Sequence, residues 1–391
     1  VIRQGTWLTA GRTRAYALIL AAFYVIVSAA WIGLDTPLVA DEQAPFGSDF
    51  VAGYAASVLA LQGDPAEAYD VETHRETVRQ IRPRQDPFSY PPTALLIVSP
   101  AALLPYGLAL GLMLVFTLAA VLAVARATPS TPDTARVGLG FAGTFVNRGH
   151  GQNAFLMAAL LGLALLAIYR GWVLIAAAGI ALMLFKPQFG VLLPIALIAG
   201  AYWRTLGGTI AASILFLALT VLFFGMETWT AFLSAAQGVT GNVLAEGLAG
   251  WEAQQSVFST VRLAGGSIGF AYGVQGAVAL VAAGLVAWLW RGDYAFGLKA
   301  AALAVGALLA TPYVLDYDLM IMGVALLWLA KDGLERGFLS WEKTFYAFLF
   351  IWPLLARTAA EGLGIQATPI LLAVLMTLIV RRALLLEQAD V

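Results

Sequence analysis

The chain reads as long apolar runs separated by short polar breaks, with little alternation of apolar and polar positions. The first run, residues 15–34, is long enough to cross a hydrocarbon core about 30 Å thick at about 1.5 Å per residue. Runs of similar length occupy residues 107–126, 206–225 and 267–290. Shorter ones occupy residues 137–146, 154–169, 172–185, 189–203, 295–310, 319–330, 344–355 and 367–380. Residues 93–104 are punctuated by Pro100 and Pro105 and count with 107–126 as one crossing, the first piece being re-entrant or interfacial. The pattern predicts an all-α polytopic membrane protein of about twelve transmembrane helices, with residues 1–391 forming one integral membrane domain. Runs too short to cross alone belong inside protein or in thinned bilayer. Unbroken runs argue against a β-barrel, which needs alternation. The first run lacks a small-x-small cleavage site, so it reads as a retained helix.

Two stretches stay outside the bilayer. Residues 35–92 form a first loop, with an amphipathic segment over 50–61, the punctuation Gln62-Gly63-Asp64, and a charged middle over 64–86. Pro91-Pro92 ends that loop and favours the start of a helix. Residues 226–266 form a second. Charged residues make up 12% of the chain, about half the share of a soluble domain, and no separate soluble domain is visible. Cysteine is absent, which removes disulfide and thiol chemistry.

Charge then orients the chain. Arg3, Arg12 and Arg14 precede the first run and place both termini in the cytoplasm. On that topology fourteen of the 22 Lys and Arg lie inside, and both loops face the outer side of the membrane. Four outer exceptions, Arg75, Arg79, Arg82 and Arg84, fall in one run. The polar constellations all land outside: Asp49, Arg82 with Arg84, residues 147–153, Lys186, the second loop, and Asp316 with Asp318. A transporter built on inverted repeats would place polar groups near the midplane, and no repeat joins the two halves. A lipid or sugar transporter is the alternative, and a nonenzymatic scaffold a distant third. Asp49, where the first run gives way to the loop, is a functional candidate because a carboxylate there is costly. It is equally placed to be the N-cap of a helix from Phe50 that Gly63 ends, and the two roles are compatible.

Gly47-Ser48-Asp49-Phe50, then Leu61-Gln62-Gly63-Asp64 and Ala68-Tyr69-Asp70, resembles the opening loop of bacterial glycosyltransferases with the GT-C fold. The ordered set Phe88-Ser89-Tyr90-Pro91-Pro92, Ser99-Pro100, Leu104-Pro105, Gly151-Gln152-Asn153, Lys186-Pro187-Gln188 and Thr311-Pro312-Tyr313 is similar to family 87 of that class. That family includes mycobacterial mannosyltransferases using polyprenyl-phosphate mannose. The resemblance covers residues 45–330. It implies an inverting enzyme that takes a sugar from a lipid monophosphate, with the acidic residue of the first outer loop, Asp49, as base. Asp316-Tyr317-Asp318 stands where the mycobacterial members carry histidine, so the sugar and acceptor stay open.

The chemistry assigns further roles. A glycosyl phosphate is already activated, so its leaving group needs charge neutralisation more than acid. Lys186 is the first choice, at the end of a short run, although a lysine snorkelling to the interface fits the same position. Arg148 and His150, in a glycine-broken turn, and Arg82, Arg84 and Arg262 are further phosphate candidates. Displacement with inversion needs one carboxylate, whereas a retaining glycosidase needs a close pair. Asp316 and Asp318, on different sides if helical, are candidates for sugar or acceptor contacts together with Tyr317, Tyr90, Gln152, Asn153 and Gln188. Trp229, Trp251, Glu252 and Gln254 of the second loop would shape the acceptor site. Two histidines and scattered carboxylates make no metal signature, so no metal and no cofactor beyond the lipid-linked donor is expected. The expected partners are membrane lipids, the polyprenyl-phosphate sugar and a lipid or glycan acceptor, bound by a monomer and without nucleic acid.

Overall fold

The computed structural model describes residues 1–34, 46–82, 87–128, 133–240, 247 and 250–387. Arg84, one of the phosphate candidates, lies outside them. The described residues form seventeen α-helices: α1 (Ala10–Leu34), α2 (Phe50–Gln62), α3 (Val71–Ile81), α4 (Pro92–Val98), α5 (Tyr106–Ala127), α6 (Thr134–Leu139), α7 (Ala142–His150), α8 (Ala154–Arg170), α9 (Val173–Leu182), α10 (Leu193–Ala199), α11 (Trp203–Thr240), α12 (Val257–Leu263), α13 (Ile268–Arg291), α14 (Phe296–Ala310), α15 (Met320–Arg336), α16 (Glu342–Leu363) and α17 (Thr368–Glu387). Short 3₁₀ turns join several of them, and a single β-bridge pairs Gln254 with Leu315.

Five helices, α1, α5, α11, α13 and α17, are long and apolar enough to cross a membrane, and shorter apolar helices accompany them. This is a multi-pass helical membrane protein. The long helices form its wall: most of α1, α5, α11 and α13 is not covered by protein. The short ones sit inside. Most residues of α8, α14 and α15 are buried, so their side chains meet protein rather than lipid. Length explains the division. At about 1.5 Å per residue a helix of fifteen residues, such as α14, falls short of a hydrocarbon core about 30 Å thick. Small residues let these inner helices approach closely, as along Ala300, Ala301, Ala302 and Ala304 of α14.

Local signals set the ends. Gly63 stops α2 in a left-handed conformation (φ 100°), and its N–H turns back to Leu59 and Ala60 carbonyls. Asp70 caps α3 through the Thr73 N–H at 2.9 Å. Two ends differ from the sequence reading. Residues 147–150 continue α7 instead of forming a turn; the break comes only at Gly151 (φ 70°). Asn147 then caps the next helix, accepting from the Ala154 N–H at 2.9 Å. Likewise residues 226–240 remain helical after Gly225 (φ 76°, ψ 163°) breaks α11, where a loop was expected, and Trp229 Nε1 bridges the break by donating to Thr220 Oγ1. Arg382 of α17 is buried between Asp332 of α15 and Glu342 of α16 and ties the three helices together.

Candidate active site

The breaks between helices converge on one place. The turn before α2 is pinned to the α7–α8 turn, because the Gly47 N–H donates to the Gly149 carbonyl at 2.8 Å and the Asp49 N–H to His150 at 3.0 Å. Gly151 makes this approach possible: a Cβ there would stand 2.7 Å from Gly47 Cα. Tyr106 of α5 donates to the Gly47 carbonyl from the other side at 3.1 Å.

Asp49 occupies the N-cap position of α2, yet its side chain makes no capping hydrogen bond. Its carboxylate accepts instead from Ser48 Oγ at 3.0 Å and from Gln152 Nε2 at 3.1 Å, and His150 Nδ1 lies 3.4 Å away. On its other side the His150 ring faces Asp316, with Nε2 at 3.7 Å from Oδ1. Burial alone would lower the imidazole, but the Asp316 and Asp49 carboxylates outweigh it and raise the pKa to about 10. The ring is therefore an imidazolium at neutral pH, held between two carboxylates.

The turn Asp316–Leu319 supplies two carboxylates to two different places. Asp318 Oδ1 pairs with Lys186 Nζ at 2.8 Å, both side chains almost wholly buried, and Asp318 Oδ2 accepts from the Leu315 N–H. Lys186 sits in the break between α9 and α10, with the rings of Tyr317 at 4.9 Å, Tyr90 at 5.6 Å and Phe189 at 6.0 Å around its ammonium. Tyr90 links the two halves: its hydroxyl donates to Gln152 Oε1 at 3.1 Å, and Asn153 lies beside it. Behind the turn, the Asp316 N–H donates to Ala253 and the Gln255 N–H to Val314. Gln255 is in turn held by Thr368, whose hydroxyl donates to its Oε1.

Asp49, His150, Gln152, Tyr90, Lys186, Asp316, Tyr317 and Asp318 thus form one continuous set of contacts, joined by Asn153 beside Tyr90. Gln188 lies half-buried in the 3₁₀ turn Pro187–Gly190 next to Lys186. Three cationic candidates stand apart from that set. Arg82 stacks over Tyr106 at 5.0 Å, close to the Gly47 turn. Arg148 turns the other way, donating to the Tyr24 carbonyl of α1 at 2.7 Å. Arg262 donates to Gly266 and stacks over Trp251 in the second loop. Sequence reasoning overlooked Ser48 and Gln255. Both are polar residues beside an apolar stretch, and that signal could have found them. Among the described residues no group of three or more His, Asp or Glu side chains is arranged to hold a metal ion.

The described residues thus form a helical membrane protein that gathers carboxylates, an imidazolium and a buried lysine at one set of helix breaks, a set able to do acid–base chemistry. The model of glycosyltransferase family 87 matches residues 88–312, more than half of the chain, and the protein belongs to that family. No curated protein and no solved structure matches the chain at a significant level. The matched stretch carries Tyr90, His150, Gln152 and Lys186, while Asp49 and the Asp316–Asp318 turn come from the flanking segments.

Proposed function

We propose that the protein is an inverting glycosyltransferase of GT-C-like architecture that takes a sugar from a polyprenyl-phosphate donor. The acceptor is a lipid or glycan, and the reaction runs at the periplasmic face. Asp49 is the general base. It removes the proton from the acceptor hydroxyl as that oxygen bonds to the anomeric carbon. The bond from that carbon to the phosphate oxygen breaks, and the lipid phosphate leaves with the electron pair. The observation that carries this reading is the state of Asp49. Its carboxylate is relieved of capping, oriented by Ser48 and Gln152, and still 15% exposed, so an acceptor can reach it.

The charges around it suit a phosphate leaving group. The His150 imidazolium is the cation nearest the base, and Arg82 stands by the same turn. Lys186 would serve the phosphate only by leaving Asp318, so its resting role is to fix the turn that carries Asp316. Tyr90, Tyr317, Asn153 and Gln188 line the approach to the sugar. Asp316 stands across His150 from Asp49, not beside it, which favours single displacement over a paired-carboxylate mechanism.

Asp49→Asn tests the assignment. Asparagine keeps the shape and the hydrogen bond to one oxygen but cannot take the proton. Single-turnover transfer from a polyprenyl-phosphate sugar should fall by about 10²–10⁴-fold while donor binding persists. Near-normal transfer by the folded variant would remove Asp49 from the base position.

A further inference from the structure

On the far side of α7 from Asp49 lies a second polar cluster. Arg148 is half-buried against α1, with its guanidinium over the Phe145 ring at 5.9 Å and one N–H donating to the Tyr24 carbonyl. No carboxylate lies within ion-pair distance of it among the described residues, and its Nε has no partner. Tyr24 and Ser28, one turn apart on α1, are 1% and 6% exposed, and neither hydroxyl meets a partner in the protein. An uncompensated cation inside a membrane bundle, packed on a helix that carries two unpaired hydroxyls, is costly unless an anion completes it.

One helical turn away, and not lined by Arg148, Tyr24 or Ser28 themselves, is an apolar cavity of about 640 Å³, within the size range of ligand sites. Leu20 of α1 and Thr144 of α7 line it, each one turn before Tyr24 and Arg148 on the same helix face. From there the cavity runs along α1 to Trp7, with Ile351 of α16 on its opposite wall. A cation one helical turn from an apolar shaft matches an amphiphile with an anionic headgroup.

We propose that this seam holds one resident anionic phospholipid. Its phosphate sits at the Arg148 guanidinium, and one acyl chain fills the cavity. The occupant is not the sugar donor. Residues 148 and 150 lie about 200° apart around the helix. Gly149 between them is packed on Trp31, where a Cβ would stand 2.8 Å from the ring, so the seam is walled off from Asp49. The inference is independent of the identity of the base.

The test reconstitutes the full chain in phosphatidylcholine vesicles with and without phosphatidylglycerol, re-extracts it, and counts bound lipid by native mass spectrometry. Wild type should keep one phosphatidylglycerol per chain in preference to phosphatidylcholine. Arg148→Gln should weaken that retention roughly tenfold or more, as loss of a charged hydrogen bond does. Arg148→Lys, which keeps the charge, should restore part of it. Ala347→Phe, which fills the cavity and leaves Arg148 in place, should also release the lipid. Equal retention of the two lipids, or retention by Arg148→Gln or Ala347→Phe equal to that of wild type, would overturn the proposal. A raised donor KM in Ala347→Phe would overturn it too, by giving the cavity to the donor's tail.

Discussion

Replacing His150 by glutamine removes a charge from between Asp49 and Asp316 while keeping a polar side chain of similar reach. The structure gives the magnitude. A rise from the ordinary 6.5 to about 10 corresponds, at about 1.4 kcal/mol per pH unit, to roughly 3–5 kcal/mol of favourable interaction. The lower end is the better guide, because 26% of the side chain is exposed and water screens it. The sign follows from linkage. Folding raises the His150 pKa, so the stabilisation is complete below the unfolded value of about 6.5 and disappears as pH rises through about 10. Above that, neutral histidine and glutamine leave the same two carboxylates facing each other. The stability gap between wild type and His150→Gln is therefore widest near pH 6, on the order of 5 °C in unfolding midpoint, and closes toward about pH 10. Thermal unfolding of both proteins in the same nanodiscs, at fixed ionic strength, measures it. A gap that stays constant across that range would mean that His150 acts by packing on Tyr317, whose ring centre is 5.6 Å away, and the charge argument would fail.

Three further outcomes are expected. Lys186→Met and Asp318→Asn each leave a buried group without its partner and should cost about 3–5 kcal/mol, whereas Lys186→Met with Asp318→Leu should cost less than either; unfolding midpoints that rank the double variant lowest would refute the pairing. Gly151→Ala forces a left-handed backbone on alanine and a backbone clash with Gly47, so the Asp49–Gln152 geometry slips and single-turnover transfer should fall about 10²-fold; an unchanged rate would show that the pinned turns do not matter. Because the chain has no cysteine, Asp64→Cys and Arg204→Cys can be probed in intact cells with an impermeant thiol reagent. Labelling of the first and protection of the second is expected, and the reverse would invert the membrane orientation.

Much of this site is written in the sequence because each of its polar groups interrupts an apolar run. Asp49, Tyr90, His150, Lys186 and Asp316 stand at five separate breaks, and breaks on one side of a bundle must meet. What the sequence does not carry is pairing. Lys186 looks like a free cation at the end of a run, yet its partner Asp318 lies 132 residues away. The division of Asp316 and Asp318 between two partners does follow from their spacing in a helical turn. Arg148 looks like part of a turn because Gly149 and Gly151 flank the segment. Only Gly151 has positive φ, and Gly149 is small for the sake of Trp31, so the helix runs on and carries Arg148 toward α1. Arg382 counts toward the basic inner side, but it is buried between two carboxylates and says less about orientation than an exposed arginine would. Periodicity reports which face is apolar; it does not distinguish a lipid neighbour from a protein one.

The placement of α8 and α14 inside a fence of longer helices bears on how the protein is made. Neither is long enough to settle in a bilayer by itself, so each must wait for a neighbour as the chain emerges from the ribosome. For α8 that neighbour is already present, because α5 precedes it and packs against it. For α14 the preceding α13 is a full-length span, and α15 follows within ten residues. Synthesis order thus hands each short helix a longer escort. The breaks that form the candidate site are closed late: Asp49 leaves the ribosome early, but the Asp316 turn that faces it across His150 lies more than 260 residues downstream.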